Sequence, residues 1–164
     1  MSPFDAASFP LKPHGHAFED FSPGRVFEHH WGRTLNAGDN SLFTTATLAH
    51  NPLYLNADYA RALGHPDVVL NPFMVLCTVL GMSVEDLSEA GGPFLGLTQC
   101  RFHRPAYPGD TVTARSTVVE ARESESRPAM GVVTWHTEGF NQSGALIVDY
   151  RRSNLVAKRR PSSG

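Results

Sequence analysis

The stretch LAHNPLYLNADYA, Leu48 to Ala60, sets His50, Asn51, Pro52 and Tyr54 within one short segment. These residue types, this close together, suit proton-transfer chemistry. An imidazole is the side chain best fitted to moving a proton near neutral pH. A phenol ionises only near ~10 in model peptides, so Tyr54 is a poor base there and better placed to donate a hydrogen bond to water or substrate. A carboxylate beside the histidine would complete an acid–base pair, yet the residue before His50 is Ala49. His50 and Tyr54, with Asn51 between them, are the candidate catalytic residues. The plain alternatives are a solvated or capping histidine and an aromatic plug in the core.

A second candidate feature begins at Asn71-Pro72, at the head of the apolar run VVLNPFMVLCTVLGMSV. Proline is favoured at the first position of a helix, where no N–H is missed. The free N–H groups at the start of a buried helix can hold a developing oxyanion. Pro72 removes one donor, so the amides of Phe73 and Met74 would serve, with the Asn71 side chain as a further donor. Asn71, Phe73 and Met74 are the candidate substrate-binding residues; a pure N-cap is the alternative for Asn71.

Other chemistries lack their residues. The histidines, at 14, 16, 29, 30, 50, 65, 103 and 136, form no HxxxH and pair with no CxxC, so no metal is expected. His29 and His30, adjacent on a strand, point to opposite faces. There is no G-x-S-x-G, P-loop or G-x-G-x-x-G. Cys77 and Cys100 lie in apolar runs and read as buried free thiols in a reducing compartment.

The elements that must position these residues follow from pattern. RVFEHHWGRTL, residues 25–35, reads as a first strand. Asp39 is a plausible N-cap for a short helix that the Asn51-Pro52 step should end. Asn56 caps a second short helix that stops at Gly64. Residues 48–55 are then a loop between the two. From Asn71 a longer helix should run to about Leu87, apolar around almost its whole circumference and so buried. Gly91-Gly92-Pro93 breaks the chain. Four strands follow, separated by a turn at Tyr107–Asp110, a polar loop at Ser124–Pro128 and a hairpin turn at Asn141–Gly144. Arg151, Arg152, Lys158, Arg159 and Arg160 read as a solvated face. A sheet wrapped around one apolar helix buries both elements. That is an α+β hot-dog architecture, with an N-terminal arm over 1–17, the domain over 18–158 and a polar tail over 159–164. Its open sheet edge predicts a homodimer.

The chain has 164 residues, a formal net charge of −2, 41% hydrophobic and 18% charged residues, which suits one soluble domain and gives no field for nucleic acid. No apolar run approaches the roughly 20 residues of a membrane span. With no apolar leader visible, the expectation is a cytoplasmic protein with no membrane partner.

FEDFSPGRVFEHHWGRT, GDNSLFTTATLAHNPLYLNADYA, VVLNPFMVLCTVLGMSV, FHRPAYPGDTV and ARESESRPAMGVVTWHTEGFNQSGALIVDYRRSNLV carry a resemblance. Over about Phe18 to Lys158 the chain resembles the MaoC-like (R)-specific enoyl-CoA hydratases, and within them the mesaconyl-CoA hydratase (β-methylmalyl-CoA dehydratase) branch. The resemblance implies a hot-dog dimer that adds water to, or removes it from, a 2,3-enoyl-CoA thioester without metal or cofactor. In that family an Asp and a His in a D-x-N-P-x-H segment hold the water and move the proton. Asn51 and Pro52 match the middle of the segment. Its Asp position falls on Ala49 and its His position on Tyr54, so the dyad is replaced. His50 and Tyr54 are the replacements at hand, His103 a weaker one. Two other readings stay open. One is a non-catalytic acyl-CoA-binding subunit, paired with a related hot-dog chain that bears the dyad. The other is a hot-dog thioesterase, for which Glu85 and Asp86 lie at the wrong end of the helix.

Overall fold

The computed structural model describes residues 15–159. A short 3-10 helix (Phe18–Asp20), six strands and five α-helices are present among them: β1 (Val26–Glu28), β2 (Arg33–Thr34), α1 (Ala37–Ala46), α2 (Pro52–Leu55), α3 (Ala57–Ala62), α4 (Pro72–Met82), α5 (Val84–Leu87), β3 (Phe94–Phe102), β4 (Thr111–Glu123), β5 (Met130–Phe140) and β6 (Leu146–Ala157). The strands run antiparallel in the order β1-β4-β5-β6-β3, and β2 pairs separately with β4. This is the expected hot-dog fold.

Strand alternation aims the core. Along β5, Gly131, Val133, Trp135, Thr137 and Gly139 are buried while their neighbours are only half-buried, the period-2 pattern of a sheet with one packed face. Met74, Val75, Val79 and Met82 of α4 lie on that face against Val112, Ala114, Val148 and Tyr150. Burying each such aliphatic side chain contributes about 1.5–3 kcal/mol. Gly139 lets the helix approach: a Cβ there would stand 2.6 Å from Val79 Cγ2. A second cluster, Phe21, Phe27, Leu87, Trp135 and Val156, closes the α5 end.

Several elements differ from the sequence expectation. The first strand is split, because residues 29–32 leave the ladder between β1 and β2. Asn36, not Asp39, caps α1: its Oδ1 accepts from the Asp39 N–H at 2.9 Å. Residues 48–55 are not all loop, since Asn51 and Pro52 start the single-turn helix α2. The long helix ends at Met82. There the Ser83 hydroxyl donates back to Leu80 O at 2.7 Å and accepts from Arg152 Nη1 at 3.0 Å, and α5 follows. Arg152 is therefore not on a solvated face: it is 1% exposed, lies over the Trp135 ring and also reaches Ser88. Lys158 pairs with Glu123 and Arg159 with Asp20, while Arg160 lies outside the described residues, as does most of the expected arm.

The central helix is also not buried all round. Phe73 is 60% exposed and Cys77 and Gly81 are exposed too, and Val84, 37% exposed at the start of α5, continues the line. These positions form one stripe, left bare because this chain's sheet covers only the opposite side. Cys77 is thus an exposed thiol and Cys100 a half-buried one, neither the fully buried cysteine the apolar context suggested. No helix among the described residues is long and apolar enough to cross a membrane.

Candidate functional site

Asn71 caps α4 as its sequence predicts, its Oδ1 accepting from the Phe73 N–H at 3.0 Å. Asn71 is 1% exposed, and its own N–H donates to Asn40 Oδ1 at 2.7 Å. Asn40, equally buried in α1, turns its amide nitrogen to Tyr54 O at 2.8 Å and Val69 O at 3.4 Å. One side chain therefore joins α1, the loop-borne α2 and the start of α4. A buried amide with its hydrogen bonds met fixes backbone positions strongly, since each broken bond would leave an orphan group.

Two concavities flank this junction. One, about 560 Å³, is an open groove between α1 and the bare stripe of α4, lined by Trp31, Leu42, Phe43, Met74 and Cys77. The other, about 260 Å³, lies between α2, the α4 start and the segment after β3; Leu53, Tyr54, Pro72, Val75, Phe102 and Arg104 are among its walls.

The structure brings together some of the sequence-predicted residues and not others. Tyr54 lines the smaller cavity beside Pro72. Asn71 lies behind it, holding the helix start. The Phe73 N–H is engaged by Asn71 Oδ1 and the Met74 N–H by Asn71 O at 3.0 Å. The Phe73 ring is exposed and meets Phe102 edge-on at 5.8 Å, while Met74 points into the larger groove. His50 and Asn51 are exposed, and Asn51 Oδ1 caps α2 through Leu53 N at 3.0 Å. His103 Nε2 donates to Asp149 Oδ1 at 2.6 Å, and His136 Nε2 donates to the other oxygen at 2.8 Å. Burial pushes the Asp149 carboxyl up, but the two imidazoles more than offset this and hold it below the usual carboxylate value.

Sequence reasoning missed Asn40. The available signal was a pair of polar residues, Asn40 and Thr44, spaced to share one face of a short helix; both are buried. It also missed the role of Asp86, whose Oδ2 lies 2.6 Å from His29 Nδ1, with His29 Nε2 2.9 Å from Ser116 Oγ and Ser116 2.8 Å from Thr137. That chain locks α5 to the sheet. As expected of neighbours on opposite faces, His29 is buried and His30 exposed.

A twisted antiparallel sheet around one helix, with a loop and helix start meeting at a small apolar cavity, defines a hot-dog protein of the MaoC-like hydratase class. The family model for mesaconyl-CoA hydratase matches residues 7–164. The mesaconyl-CoA hydratase of Haloarcula hispanica is 41% identical over 150 residues, covering 91% of this chain and 42% of that protein. A MaoC domain protein of Chloroflexus aurantiacus superposes with a TM-score of 0.85 at 30% identity, over 95% of this chain and 44% of that one. A double hot-dog protein of Mycobacterium tuberculosis, at 24% identity and a TM-score of 0.78, shares the fold over 94% of this chain and 48% of its own. The chain belongs to the mesaconyl-CoA hydratase family. It spans about two fifths of the length of the curated relatives it matches.

Proposed function

We propose that this chain is a hydratase or dehydratase unit acting on a short, branched enoyl-CoA thioester of the mesaconyl type. Water would add across the C2=C3 bond, its oxygen going to C3 and a proton to C2, or the reverse. The observation that carries the reading is the convergence of Tyr54 and the α4 start on one apolar cavity, held in register by Asn40. In that cavity the thioester carbonyl would face the head of α4, where the helix dipole favours the negative charge gathered as C2 becomes enolate-like, while the Phe73 and Met74 N–H groups expected as direct donors are taken up by Asn71. Tyr54 would hydrogen-bond the water or substrate. His50, one residue from Asn51, would exchange the proton after a shift of its exposed loop. Positioned acid–base groups contribute roughly 10²–10⁴-fold in rate, which is what His50 and Tyr54 have to supply in place of the usual dyad.

The bare α4 stripe and the edge strand β3, with Phe94 and Leu95 about half exposed, support pairing with a second hot-dog unit. A homodimer is the simplest form. Ala49 and Tyr54 at the dyad positions favour a second reading. In it, the pairing unit carries the D-x-N-P-x-H residues and this one binds acyl-CoA. Both place the protein among those that bind acyl-CoA thioesters.

Loss of the conjugated enoyl thioester absorbance on mixing with mesaconyl-CoA, then crotonyl-CoA, tests this. Turnover that drops at least about a hundredfold in His50→Ala or Tyr54→Phe supports the altered site. Binding without turnover supports the acyl-CoA-binding reading. Neither binding nor turnover rejects both.

A further inference from the structure

We propose that Arg104 selects a dicarboxylic acyl group, its guanidinium pairing with a free carboxylate at the far end of an acyl chain lodged in the smaller cavity. This rests on the acyl-CoA reading above and assigns the residue of the same site that would read the charged end of the acyl group.

The cavity's volume comes first. At about 260 Å³ it falls below the roughly 300–1,000 Å³ of pockets that take drug-sized ligands, which suits a short acyl group and not a fatty chain. Its walls are largely apolar: Leu53, Val69, Leu70, Val75 and Ile147 contribute. An acyl chain ending in a carboxylate would enter such a site only with a partner for its charge, because an unpaired anion against apolar walls loses its hydration uncompensated.

Two basic side chains line the cavity, and only one is free of a carboxylate partner among the described residues. His103 is already engaged by Asp149 at 2.6 Å. Arg104 is exposed and makes no ion pair among the described residues. Several other arginines are matched, Arg33 with Asp39, Arg61 with Asp58, Arg115 with Glu138 and Arg159 with Asp20, and of those without an acidic partner among the described residues Arg104 is the one that lines this cavity. An unmatched guanidinium at the rim of an apolar cavity offers the planar fork that fits a carboxylate with two parallel hydrogen bonds.

The backbone fixes where Arg104 stands. On one side the His103 N–H donates to Ile147 O at 2.7 Å. On the other, Pro105 disfavours helical geometry at Arg104, and Ala106 O accepts from the Leu70 N–H at 2.9 Å. Leu70 precedes Asn71, the cap of α4. The segment that carries Arg104 is thus tied to the start of α4 through the hydrogen bond between Ala106 and Leu70.

The test compares mesaconyl-CoA, which ends in a carboxylate, with crotonyl-CoA, which does not, in wild type, Arg104→Met and Arg104→Lys. Both kcat/KM and equilibrium binding are measured, the latter by isothermal titration. Arg104→Met is expected to lower kcat/KM for mesaconyl-CoA by about tenfold or more, mostly through KM, and to leave crotonyl-CoA within about twofold. Arg104→Lys should recover part of the loss. An equal loss on both substrates would overturn the proposal, since it would mean a contact with the common CoA portion or a structural role. So would an unchanged preference. If wild type turns over neither compound, the hydratase reading fails and the titrations decide: tighter binding of mesaconyl-CoA that disappears in Arg104→Met upholds Arg104, and no preference rejects it.

Discussion

The Asn71 amide donates to the Asn40 side-chain oxygen at 2.7 Å, so the cap of the central helix is anchored by a residue of α1. The same Asn40 side chain holds Tyr54 O at 2.8 Å. Position in the candidate site therefore depends on a residue that touches no ligand.

Asn40→Ala leaves the Asn71 N–H and two carbonyls without their partner in a buried setting. The expected cost is about 2–3 kcal/mol in urea or guanidinium unfolding. Any hydration activity should fall more steeply than in a surface variant such as Glu120→Ala, with both measured on folded protein. Asn40→Asp keeps the acceptor for Asn71 but loses the donor to Tyr54, and should fall between. Wild-type stability and rate in Asn40→Ala would remove Asn40 from its positioning role.

Arg152 is a buried guanidinium whose hydrogen-bond partners are the Ser83 and Ser88 hydroxyls and whose Nε has none among the described residues. Burial pulls its pKa down, the cost of a desolvated cation. Its place at the end of α4 offsets part of that cost, since a cation is favoured where helix carbonyls are unpaired. Arg152→Ala removes the bonds and opens a cavity, for an expected loss of about 3 kcal/mol. Arg152→Met keeps most of the volume without the charge, and its melting temperature should lie well above that of the alanine variant. Equal losses would mean that the charge, not the packing, holds the α4–α5 junction.

The Tyr150 hydroxyl is buried and makes no hydrogen bond of good geometry, though the Thr137 and Ser83 hydroxyls lie near enough to act on it. Burial pushes its pKa up to about 12. A raised folded-state pKa means that the stability is complete below the unfolded value near ~10 and is lost as pH climbs from there through the folded value. The difference between wild type and Tyr150→Phe, followed by denaturant unfolding, should therefore widen in favour of the variant above about pH 10. At neutral pH, Tyr150→Phe should be neutral or stabilising by up to about 1 kcal/mol, since it deletes an orphan hydroxyl. A marked loss at neutral pH would point instead to a hydrogen bond that the hydroxyl makes in solution.

Gly139 faces α4, and a methyl there would meet Val79 Cγ2 at 2.6 Å and Val148 Cγ1 at 3.1 Å. Gly139→Ala should cost about 1–3 kcal/mol by forcing the helix off the sheet, and Gly139→Ala with Val79→Ala should recover much of it. Chemical denaturation of the single and double variants measures the coupling; strict additivity would show that the two residues do not press on each other.

The four long strands were legible because each is rich in strand-forming residues and bounded by turn residues, and in β4 and β5 the burial alternates as well. The caps at Asn56 and Asn71 were legible for the same local reason: the side chain that makes the cap is in the segment it caps. What escaped the sequence depends on partners far along the chain. Arg152 sits in a basic run that looks solvated, and only the fold places it beneath Ser83 and over Trp135. Asn40 looks like an ordinary helix polar residue until α2 and α4 are brought to it. The bare side of α4 was hidden by the same logic, since an apolar circumference records what will finally be covered, not which chain covers it. Within the candidate site, the α4 start and Tyr54 were read from local pattern, while Arg104 needed the cavity to give it meaning.

Arg159 reaches back to the turn at Phe18–Asp20, pairing with Asp20 and donating its amide to Glu19. The first and last described parts of the domain are therefore neighbours in space, and their order along the polypeptide is a convention that the packing does not need. A circular permutant joining residue 159 to residue 18 through a few flexible residues, and opened in the exposed Asn141–Gly144 turn, would keep every strand in its present register. The fold is in this sense a closed ring of elements, cut at one place among several that would serve.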